Sequence, residues 1–196
     1  MSPLSENPLL DKLLTLQHLA AYDDFKQRLT ECSTLASALD CALDAAIALH
    51  GADFGNIQLL NCASRVLEIR AQRGFDKKFL ETFHSVSVDD PSACGRALRD
   101  NTSVVIRDVN ADPAYAPFRA IAAEAGYRGV QSTPLISSGG KIVGIISTHF
   151  RHPHAPTRLG MYLIRLYGCC LADAVLTHAP RMEAMRAIPL RPEERV

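Results

Sequence analysis

The sequence predicts an α+β fold with a central antiparallel sheet of five or six strands, terminal helices on one face, and short helices and loops on the other. Three observations favour this fold. Apolar residues recur at helical spacing at both ends of the chain, and strand-like segments dominate the middle. Two pairs of these segments are each joined by a short polar loop, which is typical of antiparallel hairpins.

Two helices are predicted at the start of the chain. Apolar residues fall at helical spacing over 9–29, and a second apolar pattern covers 33–50. We expect Ser33 to cap the second helix and Gly51 to end it, since glycine tolerates the left-handed conformation found at helix ends. Residues 1–8 are polar and contain two prolines, so we expect them to be flexible.

The apolar spacing then changes to that of strands. Segments 53–60 and 65–72 predict the first hairpin, and a short helix is expected over 76–83. The next helix is predicted to begin with Asp90 as its N-cap and Pro91 as its first residue.

The second hairpin is predicted over 129–136 and 141–150, on either side of the turn-forming sequence SSGG. Before it, a strand is expected over 103–107. A short helix is expected to begin at Pro117 and to end at Gly126.

A long helix over 158–178 is predicted to complete the domain. The residues after it contain three prolines and many charges, so 179–196 are expected to be an irregular tail. A single domain over 9–178 fits the length of 196 residues and the hydrophobic content of 47%. The apolar stripe of the long helix consists of Leu159, Leu163, Leu166, Cys170, Ala174 and Thr177.

Composition argues against several kinds of partner. Acidic and basic residues balance at 21 each without a basic cluster, which argues against nucleic-acid binding. No continuous apolar run reaches the roughly 18 residues of a membrane span, and the N-terminus lacks the basic start of a signal peptide. The six cysteines are irregularly spaced and are expected to be reduced, so we predict a cytoplasmic protein.

Polar residues inside otherwise apolar strands are the candidate ligand-binding positions. Strand alternation predicts that Val143, Ile145, Ser147 and His149 share one face of the last strand. Each polar residue could instead be a solvated or hydrogen-bonded position, and convergence on one cavity distinguishes the two cases. The candidates on strands are Asn56, Gln58, Gln131, Ser132, Ser147 and His149.

Three further candidates lie near element ends. Cys94 is predicted near a helix N-terminus, where the helix dipole lowers the pKa of a thiol, although a small buried packing residue is the interpretation we favour. Arg128 could bind an anionic ligand by a forked contact, with Asp108 nearby at a strand end. A surface ion pair is the interpretation we favour for Arg128.

No catalytic or metal-binding motif is evident. The sequence contains no G-x-S-x-G, no P-loop and no H-E-x-x-H. Three histidines, His149, His152 and His154, form an H-x-x-H-x-H pattern, but the neighbouring Pro153 and Pro156 indicate an exposed loop. We therefore predict no catalytic residue and no metal site.

Six segments follow one another in the order in which one protein family carries them. They are GADFG at 51–55, residues 67–74, SACGRAL at 92–98, VIRDV at 105–109, residues 127–135 and VGIISTHF at 143–150. In this ordered set the chain resembles the GAF domain, a relative of the PAS sensor fold, over residues 35–176. It is most similar to the GAF modules of bacterial two-component sensor kinases.

The resemblance implies a pocket between the sheet and the mid-chain helices and loops. Members of the family bind cyclic nucleotides, bilins, haem or small metabolites, and the sequence leaves the ligand and any cofactor undetermined. The thiol and Asp-containing motif needed for bilin attachment are not found. Many members dimerise through their first and last helices, so we expect a homodimer through 9–29 and 158–178. Without a kinase segment, we expect the output to be a histidine kinase or another protein.

The prediction is thus a non-catalytic, small-molecule-sensing module in signal transduction. One alternative is enzymatic, because the segment around Cys94 also resembles one cysteine site of free methionine sulfoxide reductases. Those enzymes place their reacting cysteine later, in a region that here corresponds to 120–124 and contains no cysteine. The other alternative is a GAF domain that binds no ligand and serves only as a dimerisation scaffold.

Overall fold

The described part of the chain, residues 8–61 and 63–186 of a computed structural model, consists of helices packed on both faces of one sheet. The helices are α1 (Pro8–Glu31), α2 (Leu35–His50), α3 (Lys77–Thr82), α4 (Ala93–Asp100), α5 (Arg119–Ala125) and α6 (Arg158–Arg186), with a 3-10 helix over Pro113–Phe118. The strands are β1 (Phe54–Asn61), β2 (Val66–Arg73), β3 (Ser85–Ser87), β4 (Val104–Ile106), β5 (Gly129–Ile136) and β6 (Ile142–Phe150).

The six strands pair in the order β3-β2-β1-β6-β5-β4, and every pair is antiparallel. Both predicted hairpins are present, and the pairing of β1 with β6 joins them in the middle of the sheet. Strand β3 was not among the segments predicted from the sequence. Its three residues, which pair with Val66–Glu68, are too few to show an alternating pattern.

Two separate hydrophobic cores lie on the two faces of the sheet. The terminal helices α1 and α6, together with α2, cover the rear face, and the short helices cover the front face, as the sequence predicts. The rear core includes Phe25, Leu43, Ile57, Leu135, Ile146 and Leu171. The front core includes Phe54, Phe79, Tyr115, Tyr127, Val130 and Ile145.

Two helix starts differ from the predicted ones. Helix α2 is capped by Thr34 rather than Ser33, and the Thr34 hydroxyl accepts a hydrogen bond from the Ser37 amide at 3.1 Å. Helix α4 is capped by Ser92, while Asp90 accepts a hydrogen bond from the Ser92 amide at 2.8 Å. In both cases the capping residue is the one whose oxygen reaches the amide three residues later.

Helix α6 is longer than predicted and buries a different stripe. It continues through residues 179–186, which the proline content had suggested were irregular, because residues of high helix propensity follow Pro180. Residues 187–196 lie outside the described part. Cys170 of the predicted stripe is only partly buried, and Thr177 is exposed. The buried stripe consists of Leu163, Ile164, Tyr167, Leu171, Ala172 and Val175.

One part of α6, Arg158–His178, is long and apolar enough by composition to cross a membrane, although the sequence contains no uninterrupted apolar run of that length. The core helix of a globular domain passes the same test. The buried stripe of α6 packs against α2 and β5, which is the arrangement of a core helix.

A bulge in the β5–β6 hairpin changes one predicted side-chain direction. The register shifts between Leu135 and Ile136, and Val143 packs in the rear core. Val143 therefore does not share a face with Ile145, because the extra residue of a bulge breaks the alternation of side chains.

Candidate ligand-binding site

A small, partly open cavity, which we call the front cavity, lies between the front face of the sheet and the short helices. Its free volume is about 10 Å³, which is close to the minimum that holds one water molecule. Its lining residues are Asn56, Gln58, Phe79, Phe83, Ser92, Ala93, Cys94, Tyr115, Val130, Ser132, Ser147 and His149.

Strand pairing places the polar side chains of the front cavity side by side. Ser147 of β6 lies opposite Asn56 of β1 on one side and opposite Ser132 of β5 on the other. The two serine hydroxyls are 2.8 Å apart and hydrogen-bond each other. A polar row therefore crosses β1, β6 and β5 on the face that also carries Gln58 and His149.

Three buried polar residues of the front cavity have an atom without a hydrogen-bond partner in the described part of the chain. These atoms are Asn56 Oδ1, Gln58 Oε1 and His149 Nδ1. Gln58 is held in place by its other amide atom, Nε2, which donates to the Phe83 carbonyl oxygen at 3.4 Å. A buried polar atom without a partner costs about 1–3 kcal/mol, so each atom is a site where a bound molecule would gain free energy.

His149 lies in an aromatic surrounding that keeps its ring neutral. Its ring meets those of Tyr127 at 4.8 Å, Phe75 at 4.9 Å and Phe79 at 5.8 Å, in each case edge to face. Burial away from water lowers the pKa of His149 to about 3. At neutral pH the imidazole therefore offers one donor and one acceptor and carries no charge.

Cys94, the second residue of α4, is also uncharged at neutral pH. Its thiol is buried and lies 3.3 Å from the Ser92 hydroxyl. Burial raises the pKa of the thiol to about 11, although hydrogen bonds from Ser92 and the helix start act in the opposite direction. The expectation of a lowered pKa is therefore wrong, because removal from water outweighs the effect of the helix N-terminus.

The wall opposite the sheet is fixed by a pair of tyrosines and an ion pair. The hydroxyls of Tyr115 and Tyr127 lie 2.9 Å apart in the front core. Asp112 caps the 3-10 helix that carries Tyr115, and the Arg96 guanidinium of α4 donates to Asp112 at 2.8 Å. This ion pair ties the 3-10 helix to α4 across the front cavity.

A family model described as GAF domain matches residues 32–166, which is well over half of the chain. The chain belongs to the GAF domain family. No curated protein gives a significant sequence match.

Solved GAF-type structures show the same fold at low sequence identity. The GAF domain of a phosphoenolpyruvate-protein phosphotransferase from Coxiella burnetii has a TM-score of 0.73 and 18% identity, covering 86% of this chain and 98% of that chain. A domain from Sinorhizobium meliloti, described as part of a two-component sensor histidine kinase, has a TM-score of 0.64 and 15% identity, covering 80% of this chain and 100% of that one. Free methionine-R-sulfoxide reductase from Neisseria meningitidis has a TM-score of 0.69 and 15% identity, covering 84% and 91%.

Within this GAF domain, three of the sequence-derived candidates do not reach the front cavity. Gln131 is adjacent to Ser132 in β5, so its side chain points to the rear face. Arg128 and Asp108 pair with each other outside the cavity, with Arg128 Nε donating to Asp108 Oδ1 at 3.0 Å. The candidates that the structure does bring together are Asn56, Gln58, Cys94, Ser132, Ser147 and His149.

The histidines of the H-x-x-H-x-H pattern point to different places. His149 faces the front cavity, whereas the His154 ring stacks on Phe150 with the ring centres 3.6 Å apart. Among the described residues, no group of three histidine, cysteine or acidic side chains is placed to hold a metal ion.

Sequence reasoning missed the aromatic and helical wall of the cavity. Phe79 and Phe83 lie in and directly after α3, and Tyr115 lies in the 3-10 helix. Apolar residues in short helices look the same whether they fill a core or line a cavity. Their role depends on contacts with distant strands, which a single sequence does not reveal.

A hydrogen-bonded connection leads from β6, the strand that carries Ser147 and His149, to the rear helices. Thr148 lies between Ser147 and His149 in β6, so its side chain points to the rear. Its hydroxyl lies 3.2 Å from Nδ1 of His50, the last residue of α2. His50 Nε2 in turn lies 3.5 Å from the Gly160 carbonyl oxygen in the first turn of α6.

Buried His149 predicts that the domain loses stability in acid. Its pKa is about 3 in the folded protein, well below the ordinary value near 6.5 of an unfolded chain. The unfolded state therefore binds one more proton between these values, and the free energy of unfolding falls by up to about 1.4 kcal/mol per pH unit below pH 6.5. Above pH 6.5 this contribution is fully present.

The measurement is urea unfolding at pH 7 and pH 5 for the wild type, His149→Gln and the exposed control His152→Gln. We expect the pH dependence to be shallower in His149→Gln and unchanged in the control. Equal pH dependence in all three proteins would contradict the assignment of His149 as a buried neutral residue.

Proposed function

We propose that this GAF domain is a non-catalytic regulatory module that binds a small uncharged polar molecule in the front cavity and signals through its terminal helices. The observation that carries the proposal is the convergence of three unpartnered polar atoms, on Asn56, Gln58 and His149, on one cavity. Such atoms cost free energy in the unliganded domain, and a ligand that hydrogen-bonds to them recovers it.

The size of the front cavity adds a condition to the proposal. A free volume of about 10 Å³ admits nothing larger than water, so a larger ligand requires the wall to move outward. The 3-10 helix is the part of the wall that is connected to α4 by the ion pair between Arg96 and Asp112, a contact that can break and re-form. We propose that this segment opens for the ligand.

The connection through Thr148 supplies a way to pass a change from the cavity to the helices. Movement of β6 at Ser147 and His149 would alter the contact of Thr148 with His50, and thereby the position of α6. The domain would then have two arrangements, which differ in the position of α6. A ligand shifts the equilibrium between them only by the difference in its affinity for the two.

The terminal helices are the proposed contact with partners. Leu16 and Leu19 of α1 are 52% and 50% exposed, and Tyr162 of α6 is 61% exposed. Exposed large apolar side chains on both terminal helices support a homodimer through these helices. We propose that a histidine kinase or another output protein then receives the signal. The similarity to a domain of a sensor histidine kinase supports this setting, for which we propose the cytoplasm.

A ligand-free scaffold is the second candidate function. The observation that favours it is the small volume of the front cavity, which side chains nearly fill. In that case the polar atoms of the cavity would be satisfied by a single water molecule, which needs two to four polar partners.

Native mass spectrometry of the freshly purified full chain tests the proposal. We expect a mass above that of the polypeptide, which reveals a bound small molecule, and a dimer as the main species. In Gln58→Leu, which replaces an unpartnered oxygen by an apolar group of similar size, we expect the affinity for this molecule to fall about 5- to 30-fold, since a hydrogen bond to a buried polar group is worth ~1–2 kcal/mol. Ligand-free protein from several growth conditions would instead favour the scaffold.

The coupling between cavity and helices is tested without knowledge of the ligand. Gln58→Leu changes the front cavity, and we expect it to alter the hydrogen exchange of amides in the first turns of α6. The Thr148→Val side chain cannot hydrogen-bond His50. In protein that carries this substitution, we expect the effect of Gln58→Leu on hydrogen exchange to be smaller by about half or more, because the effects of substitutions at coupled residues are not additive. Thr177→Val on the exposed side of α6 is the control. An unchanged effect in the Thr148→Val background would exclude this connection.

The reductase alternative makes a separate prediction. A thiol with a pKa of about 11 is protonated at neutral pH and is a weak nucleophile, so we expect the purified protein not to reduce free methionine sulfoxide. The assay compares the wild type with Cys94→Ser at neutral pH. Activity that disappears in Cys94→Ser would overturn the non-catalytic assignment.

A further inference from the structure

The side-chain amide of Gln58 presents an atom that only accepts hydrogen bonds to the front cavity. Gln58 Nε2 donates to the Phe83 carbonyl oxygen at 3.4 Å. The opposite orientation of the amide would place two oxygens against each other, and neither of them can donate. Gln58 Oε1 is therefore the atom left without a partner, in a residue that is 1% exposed. A molecule bound beside it must supply a donor.

A second acceptor lies next to Gln58 along β1. Asn56 and Gln58 are separated by one residue and both line the front cavity, so their Cα atoms lie about 7 Å apart on one face of the strand. Asn56 Oδ1 is also buried and without a partner. An NH2 group has two hydrogens that point in different directions. A single nitrogen between the two side chains can therefore donate to both oxygens.

The neighbouring strands offer a donor beside these acceptors. The hydroxyls of Ser132 on β5 and Ser147 on β6 are 2.8 Å apart. Each hydroxyl carries one hydrogen, and the bond between the two hydroxyls uses only one of them. Ser147 lies opposite Asn56 in the sheet, so the remaining hydrogen is close to the acceptors of β1. It can bond a carbonyl oxygen of a bound molecule.

The described wall of the front cavity contains no lysine or arginine that could bind an anion. The Arg96 guanidinium of α4 donates to Asp112 at 2.8 Å. Burial lowers the pKa of His149 to about 3, so its ring is neutral at physiological pH. A negatively charged group would therefore be buried without a partner charge, which is costly. The arrangement favours a neutral molecule with donors.

We propose that the front cavity binds a neutral primary carboxamide. This inference rests on the proposed ligand-binding function and names the class of ligand. The NH2 group of the carboxamide donates to the side-chain oxygens of Asn56 and Gln58, and its carbonyl oxygen accepts from the hydroxyl pair on β5 and β6. The apolar remainder of the molecule packs against the aromatic side chains of the wall, Phe79, Phe83 and Tyr115.

Three small molecules of nearly the same shape separate this class from others. Acetamide carries an NH2 group where acetone carries a methyl group and acetate carries a charged oxygen. Acetone still accepts from the hydroxyl pair but leaves the oxygens of Asn56 and Gln58 without donors, and acetate adds a negative charge at the same place. All three are larger than the free volume of about 10 Å³, so each needs the outward movement of the wall proposed above.

Titration of the isotope-labelled full chain with each of the three molecules tests the proposal. Binding is followed by NMR through the amide signals of the residues that line the front cavity. We expect acetamide to bind about 5- to 30-fold more tightly than acetone, which corresponds to ~1–2 kcal/mol for a hydrogen bond to a buried polar group. We expect acetate to bind most weakly.

A pair of matched variants tests the role of Gln58. Gln58→Met removes the acceptor and keeps the length of the side chain, and we expect the preference for acetamide over acetone to fall to about twofold or less. Gln131→Met is the control. Gln131 is also 1% exposed and has no partner for either amide atom, but its side chain points to the rear face, so we expect the preference of the wild type. If Gln58→Met does not fold, the comparison of acetamide with acetone in the wild type decides.

The outcomes separate this inference from the proposed function. Equal affinity of the wild type for acetamide and acetone, at residues that line the front cavity, would overturn the ligand class and leave the binding site standing. A preference that persists in Gln58→Met would overturn the assignment of Gln58 as the acceptor. If none of the three molecules shifts the signals of the lining residues, the cavity does not open, and both the inference and the proposed function are wrong.

Discussion

The antiparallel pairing of β1 with β6 is the contact on which the remaining structure depends. It joins two hairpins, each of which would be marginal alone, into one sheet with two buried faces. The strands approach closely at Gly144, where a side-chain methyl group would overlap the Gln58 carbonyl oxygen. The resulting register places Asn56 beside Ser147 and Phe54 beside His149, and so creates the polar centre of the front face.

The same two strands serve different purposes on their two faces. On the rear, Ile57 and Ile146 pack against the helices and hold them to the sheet. On the front, neighbouring positions carry amides, hydroxyls and an imidazole. Because successive residues point to opposite faces, Thr148 reaches His50 at the rear while the residues on either side of it reach the cavity. Any change in strand position is therefore felt on both faces.

Burial decides the electrostatics of the front cavity. It raises the pKa of Cys94 to about 11 and lowers the pKa of His149 to about 3, so both groups are neutral at physiological pH. Arg96 and Asp112, which join α4 to the 3-10 helix, form an ion pair with each other. Such an environment recognises its ligand by hydrogen bonds and shape.

The sequence by itself determined the order of the main elements and both hairpins, because hydrophobic spacing and turn residues are local properties. The family followed from the resemblance of six ordered segments to those of GAF domains. It also identified Asn56, Gln58, Ser147 and His149 as unusual, since polar residues inside apolar strands are visible without a structure. Only the tertiary structure decided that Ser132 faces the cavity while Gln131 does not, that a bulge turns Val143 to the rear, and that burial outweighs the helix dipole at Cys94. These outcomes depend on strand register and on contacts between distant segments. Alternation along one strand predicts which residues share a face, but it does not predict which other parts of the protein pack against that face.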